Sequence, residues 1–305
     1  MQSKYHSPVM LQECLDGLNI HPDGTYVDVT FGGGGHSRAI LSRLSAKGKL
    51  IAFDQDSDAK ANLPEDPRLI FIDQNFEFME NHLAFQECLP VDGILADLGV
   101  SSHQFDEGSR GFSFRFDDAE LDMRMDFNSG KPVSALLNSY TEKEISDILY
   151  YYGELKNSRS LAASIVAYRT ANPIKTVADF KEAIRRQTPK LHEYKFYAQV
   201  FQALRIEVNR EMDVLKAFLE QSAKVLKPGG RLVIMSYHSL EDRLVKNFMA
   251  SGNFEGELEK DFFGNSIRPL DPITRKVVTA TEAELTQNPR SRSAKLRIAE
   301  RRSLG

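Results

Sequence analysis

The chain has 305 residues, of which 41% are hydrophobic, and carries 39 basic against 43 acidic side chains for a net charge of −4. That is the composition of an ordinary soluble globular protein, long enough for one elaborated domain or two. No segment approaches the roughly 18 consecutive apolar residues that a bilayer span needs, and the opening "MQSKYHSPVMLQECLDGL" lacks a signal peptide's apolar stretch, so a cytoplasmic protein without a membrane partner is expected.

Cys14 and Cys88 stand far apart in no CxxC pair, and the seven histidines form no HExxH spacing. Neither a disulfide framework nor a metal site is expected, and a reducing compartment fits.

From residue 25 short β-branched or apolar runs alternate with helical patterns, which predicts a parallel sheet with crossover helices. The strands are "TYVDVT" (25–30), "KLIAFD" (49–54), "RLIFID" (68–73) and "DGILAD" (92–97), with "SRAILSRLSA", "SDAKANL" and "FEFMENHLAFQECL" as helical returns. This is half of a doubly wound α/β sheet.

The rhythm stops in "DLGVSSHQFDEGSRGFSFRFDDAELDMRMD", and the pattern is then helical to about residue 200. It comprises "TEKEISDILYYYG", opened by a Thr141/Glu144 capping box, then "SRSLAASIVAYRT" and "TVADFKEAIRRQT". Residues 105–200 are expected to form an all-helical domain inserted into one made of residues 1–104 and 201–305.

Sheet logic resumes with the amphipathic run "RIEVNREMDVLKAFLEQSAKVL", stopped by "KPGG", then the buried strand "RLVIMSYHS" and the helix "LEDRLVKNFMA". "VVTAT" and "AKLRIAERR" read as the closing strands. The tail carries Arg290, Arg292, Lys295, Arg297, Arg301 and Arg302 against Glu300, whereas acids crowd residues 106 to 126. A basic tail of this kind reads equally as a solvated surface and as an RNA contact.

The loop "FGGGGHS" between the first strand and its helix admits three ligands. A phosphate-cradling P-loop requires GxxxxGK[ST], and here no lysine follows. A dinucleotide loop requires GxGxxG; Gly32 and Gly34 fit, but the third position is Ser37. The third reading starts from Asp28, in the pattern D-x-x-x-G-x-G. A carboxylate there suits a ligand with an ammonium group and repels pyrophosphate, which favours S-adenosylmethionine. Asp54, at the tip of the second strand, is placed to accept hydrogen bonds from ribose hydroxyls of either S-adenosylmethionine or NAD.

Ligands of open α/β sheets sit beyond the carboxyl ends of the strands at the switch point, so residues past strands one and four face a common site. Past strand four these are Asp97, Gly99, Ser101, Ser102 and Gln104. Asp97 is a candidate for chemistry and equally for a strand-end cap.

The segments "TFGGGGHSRAIL", "DGILADLGVSSHQFD", "RGFSF", "LDMRMD", "FQALRIEVNRE", "LKPGGRLVIMSYHSLEDRLVK" and "NPRSRSAKLRIAER" run in order over nearly the whole chain. Together they resemble the bacterial ribosomal RNA small-subunit methyltransferase H family, also called MraW. The resemblance implies a Rossmann-like class I methyltransferase sheet with an inserted helical domain and S-adenosylmethionine as methyl donor. Its implied acceptor is the exocyclic N4 of the decoding-centre cytosine at position 1402 of 16S rRNA. The substrate forms compatible with it are 16S rRNA and the small ribosomal subunit, with the chain as monomer or homodimer. Carried over by position, its cofactor contacts fall on Gly34, Gly35, His36, Asp54, Phe76, Asp97 and Gln104. His103 stands where the family has Pro, and Tyr237 where it has Phe.

Cytosine N4 is a poor nucleophile because its lone pair is delocalised, so the site should hold the amine in line and accept its hydrogens. The expected acceptor is Asp97 or a carbonyl beside it, with Ser236, Tyr237 and His238 of "SYHS" positioning the base; the other reading of His238, and the commoner one for such a residue, is a structural strand-end histidine. Phe105, Phe112, Phe114 and Phe116, interleaved with Arg110, Arg115 and Arg124, either stack on flipped bases and bind phosphate or pack the hinge between the domains. The competing classes are an NAD-dependent oxidoreductase on the same sheet and a non-catalytic RNA-binding module.

Overall fold

The structure, a computed structural model, describes residues 8–106 and 108–303, apart from the side chains of Ser102 and His103. The expectations for the first seven residues and for the Ser102 side chain lie outside the described residues. The chain divides into two compact units, one of Met1–Gly99 with Met212–Gly305 and one of Val100–Glu211.

The strands are β1 (Thr25–Asp28), β2 (Lys49–Phe53), β3 (Leu69–Ile72), β4 (Val91–Asp97), β5 (Leu226–Ser236), β6 (Leu270–Pro272) and β7 (Lys295–Arg301). They form one sheet in the order β3-β2-β1-β4-β5-β7-β6, the first five parallel and β7 antiparallel to both its neighbours. Helices α1 (Leu11–Leu18), α2 (Gly35–Arg43) and α3 (Met79–Phe85) precede the second unit. Within that unit come α4 (Ser102–Asp106), α5 (Val133–Ser139), α6 (Glu142–Tyr151), α7 (Ser158–Ala171), α8 (Val177–Ile184) and α9 (Glu193–Val208). α10 (Glu211–Val225), α11 (Ser239–Ser251) and α12 (Glu282–Gln287) follow. Among the described residues no helix is long and apolar enough to cross a membrane.

Successive side chains on a strand point to opposite faces, and each face of this sheet has its own core. Tyr26, Leu50, Leu95 and Val233 pack with Leu15 and Leu18 of α1 and Ile40 and Leu41 of α2. Val27, Ile51, Ile94 and Ile234 pack instead with Leu83 of α3, Phe218 of α10 and Phe248 of α11. Helices thus cover both faces, which is the doubly wound arrangement. Chain order reverses between β1 and β4, so the loops leaving these two strands diverge and open a crevice at the carboxyl edge.

The second unit buries a separate core that includes Leu121, Val133, Ile145, Leu161, Phe180 and Val200. The Thr141 capping box is formed: Glu144 accepts from Thr141 N at 2.7 Å and Thr141 Oγ1 accepts from Glu144 N at 3.3 Å.

Three expectations are corrected. The run from 205 to 226 is two helices, because α9 ends at Val208 and Arg210 takes φ 51° before α10 begins. Asn209 fixes the break. Its Nδ2 donates to Met123 O at 2.8 Å and Arg205 O at 2.9 Å, and its Oδ1 accepts from Met125 N at 2.8 Å. "KPGG" is an outward bulge inside β5: Val91 pairs with Leu226 and Gly93 with Arg231, so residues 227–230 loop out opposite Asp92. "VVTAT" contributes only the isolated bridge from Val278 to Leu296, and the strand beside β7 is β6, whose Leu270 is fully buried while Val277 and Val278 are half-buried.

Asn209→Ala removes all three bonds at the helix break and leaves the Met125 amide short of a partner. It is expected to destabilise the helical unit by roughly 2–3 kcal/mol, read as a lower urea midpoint by circular dichroism; an unchanged midpoint would show that the break does not depend on this side chain.

Candidate active site

β1 ends on Asp28, which is 1% exposed, and its carboxylate turns back into the loop that follows. Oδ2 accepts from Ser37 Oγ at 2.6 Å and Oδ1 from Thr30 N at 3.1 Å. Ser37, standing where a dinucleotide loop has its third glycine, therefore ties the first turn of α2 to the end of β1. Thr30 extends the chain of bonds, its Oγ1 accepting from Asp97 N at 2.7 Å. Asp28 is turned to the protein.

Two of the four glycines are demanded by the protein itself. Gly34 has φ 72°, and a Cβ there would lie 2.8 Å from the Phe31 ring; a Cβ on Gly35 would lie 2.3 Å from Pro8 Cγ. Gly32 is joined to the second strand's tip, its N donating to Asp54 Oδ2 at 2.7 Å, while Asp54 Oδ1 accepts from Asp56 N at 2.9 Å. Burial pushes the Asp54 carboxyl up to about 6, against the pull of those two amides, with Asp56 and Asp28 adding like-charge repulsion. Phe76 opens a short 3₁₀ turn after β3, its half-buried ring edge-on to Phe218 at 5.3 Å.

Asp97, the last residue of β4, meets two side chains from different elements. The Tyr237 hydroxyl donates to Oδ1 at 2.6 Å, and His36 Nδ1 lies 3.9 Å from Oδ2. His36 Nε2 is 3.1 Å from the Val9 carbonyl, which only accepts, so Nε2 carries a proton, and Nδ1 faces the carboxylate. The His36 side chain is only 7% exposed, so its ring is part of the site wall. Burial raises the Asp97 pKa; His36 and Tyr237 oppose the rise, and Asp28 and Glu241 add to it.

His238 caps α11. Its Nδ1 accepts from Glu241 N at 3.4 Å and its Nε2 lies 3.1 Å from Glu241 Oε1, so both ring nitrogens face its own helix. Gln104 belongs to the second unit, where it is buried and its Oε1 accepts from Ser101 N at 3.1 Å. The structure therefore gathers Asp28, Gly32, Gly34, Gly35, His36, Asp54, Phe76 and Asp97 at one edge of one sheet, with His238 at the start of the next helix.

The aromatic and basic residues of the second unit divide. Phe112 is in the core, and Phe114 packs on Tyr194 at 4.9 Å and Phe201 at 5.6 Å. Arg110 is buried, donating to Arg124 O and Met125 O, and Arg124 pairs with Asp122 at 2.8 Å. Arg115, with 51% of its side chain exposed, reaches over Phe105 and over Phe116, itself 38% exposed. In the tail, Lys295 and Arg297 pair with Asp242, Arg301 donates to Pro269 O, and Arg302 to Ser266 O.

Thr30, Ser37 and Glu241 hold the site and were not singled out as doing so from the sequence, whereas Tyr237, expected to position the base, is found on Asp97. Their roles depend on which atoms the strand register brings together. Only Ser37 left a signal, as the residue in the missing third glycine's place.

A doubly wound sheet with a glycine loop after its first strand and acids at the tips of β1, β2 and β4 is a Rossmann-like arrangement. The chain belongs to the MraW methylase family, whose model matches residues 3–302. It is 57% identical over 300 residues to the Ribosomal RNA small subunit methyltransferase H of Parabacteroides distasonis, covering 98% of each chain. Its identity to the protein of the same name from Flavobacterium johnsoniae is 55% over 298 residues, again 98% of each. An rRNA methylase structure from Streptococcus thermophilus aligns with a TM-score of 0.41 at 13% identity, covering 96% of this chain and 95% of that one.

The methyl donor of the family is S-adenosylmethionine. The donor set fits it: Asp28 lies close enough to repel both Asp54 and Asp97, an environment that favours a sulfonium and an ammonium and disfavours pyrophosphate. A carboxyl titrating at about 6 goes from almost wholly ionised at pH 7.5 to about one tenth ionised at pH 5. If Asp54 accepts from the donor's ribose, donor affinity measured by calorimetry falls roughly tenfold over that interval, and Asp54→Asn removes the pH dependence. An affinity that stays level would release Asp54 from this role.

Proposed function

We propose that this protein transfers a methyl group from S-adenosylmethionine to the exocyclic N4 of a cytosine in the decoding centre of 16S rRNA, at position 1402. The observation that carries the reading is the carboxylate edge of the sheet: Asp97 ends β4 at the switch point with one oxygen held and the other facing His36 Nδ1 across 3.9 Å. Together with relatives named for small-subunit rRNA methylation, that edge supports an amine acceptor beside a cationic donor.

In this reading Gly32, Gly34, Gly35 and His36 form the wall against the donor's methionine half, Asp54 accepts from its ribose, and Phe76 stacks on its adenine. Asp28 supplies negative charge from beneath. Asp97 accepts the amine hydrogens, which raises electron density on nitrogen as the carbon–sulfur bond breaks. His238 is assigned to positioning, because both its ring nitrogens face Glu241. The helical unit takes the RNA, with Arg115, Phe105 and Phe116 as its open stacking and phosphate-binding groups. The reaction belongs in the cytoplasm, where ribosomal RNA is made.

Asp97→Asn is expected to lower methyl transfer about a hundredfold at saturating donor and RNA, measured as labelled methyl in 16S rRNA with N4-methylcytidine identified by mass spectrometry. Near-normal turnover of that variant would sink the role of Asp97, and no transfer by the unmodified protein would favour a non-catalytic RNA-binding module.

A further inference from the structure

Tyr237 follows β5 and is fixed at both ends. Its backbone N donates to Glu241 Oε2 at 2.9 Å, and its hydroxyl donates to Asp97 Oδ1 at 2.6 Å. Its ring lies 3.5 Å from the point where a Cβ on Gly99 would stand, so ring packing belongs to the aromatic body and phenylalanine would keep it. The hydroxyl adds something separate: one donor aimed at a carboxylate, at the short distance of a charge-assisted bond.

The groups bearing on Asp97 are Cys14 from α1, Asp28 at the end of β1, His36 from α2 and Glu241 from α11, besides Tyr237. Asp28 and Glu241 share its sign and work against ionisation, and Cys14 is a buried thiol whose own ionisation Asp97 discourages. His36 favours the carboxylate from 3.9 Å, beyond hydrogen-bond reach. Tyr237 acts by direct contact on the oxygen that His36 does not face.

We propose that Tyr237 is the positioning residue for Asp97: its hydroxyl holds Oδ1 and leaves Oδ2 for the substrate amine. The inference rests on the reading of Asp97 as the amine's acceptor. A donor held on the carboxylate opposes the rise that burial imposes, which makes the hydroxyl a device that extends activity toward lower pH.

The test is Tyr237→Phe in the full-length protein, assayed for methyl transfer to RNA from pH 5.5 to 9. Loss of one charge-assisted bond should move the acid limb of the kcat profile upward by about one pH unit. Turnover then falls about fivefold or more near the acid limb and stays within about twofold at pH 9, with KM for the donor and the thermal midpoint little changed. A profile that superimposes on that of the unmodified protein, or a loss equal at every pH, would overturn the proposal. Asp97→Asn run in parallel separates the two failures. If that variant turns over normally, the reading of Asp97 fails. If it is inactive while the Tyr237→Phe profile does not move, the inference about Tyr237 fails alone.

Discussion

The structure of the first unit depends on one buried carboxylate. Asp28 is taken from water at the end of β1, and a buried charge of that kind persists only where donors satisfy it. Ser37 and Thr30 supply them, and Thr30 then accepts from the backbone of Asp97. A strand, the loop after it, the helix beyond and the neighbouring strand are thereby locked to one another by side chains too short to tolerate a change of register. The glycine loop has its shape because Asp28 is where it is. The same charge makes the edge of the sheet unfavourable for further anions, and the acids at β2 and β4 deepen the effect until a cation offsets it.

The positive charges are mostly committed elsewhere. Lys295 and Arg297 hold Asp242 on α11, and Arg301 and Arg302 reach back to carbonyls ahead of β6, so much of the basic tail works as stitching along the antiparallel end of the sheet. In the helical unit Arg110 donates to the Arg124 and Met125 carbonyls and Arg124 pairs with Asp122, and Arg115 is the most exposed of the three.

The first four strands were legible to within about two residues, because β-branched runs between turn signals are short-range information. The break at Asn209 was not, since the run on either side is helical in pattern and the residue is held by carbonyls and an amide from residues 123 to 125. The bulge at "KPGG" contains residues that stop helices, and only the pairing with β4 reveals that the strand has already begun. β6, at three residues, is too short for any period. At the site, placement by strand ends was legible, whereas the partners of Asp28 and Asp97 were not. Tyr237 and Asp97 are 140 positions apart, and no local rule joins them.

The sheet order has a consequence for the way the chain is made. β5 pairs with β4 from the far side of an insertion of more than a hundred residues, and β7, the last strand, sits between β5 and β6. A growing chain can complete the helical unit from contiguous sequence, but the first half of the sheet must wait with the edge of β4 unpaired until the second half emerges. The polypeptide therefore finishes the piece assigned to the substrate before the piece assigned to the donor, and the interval between them is when its open strand edge is most exposed to pairing with other chains.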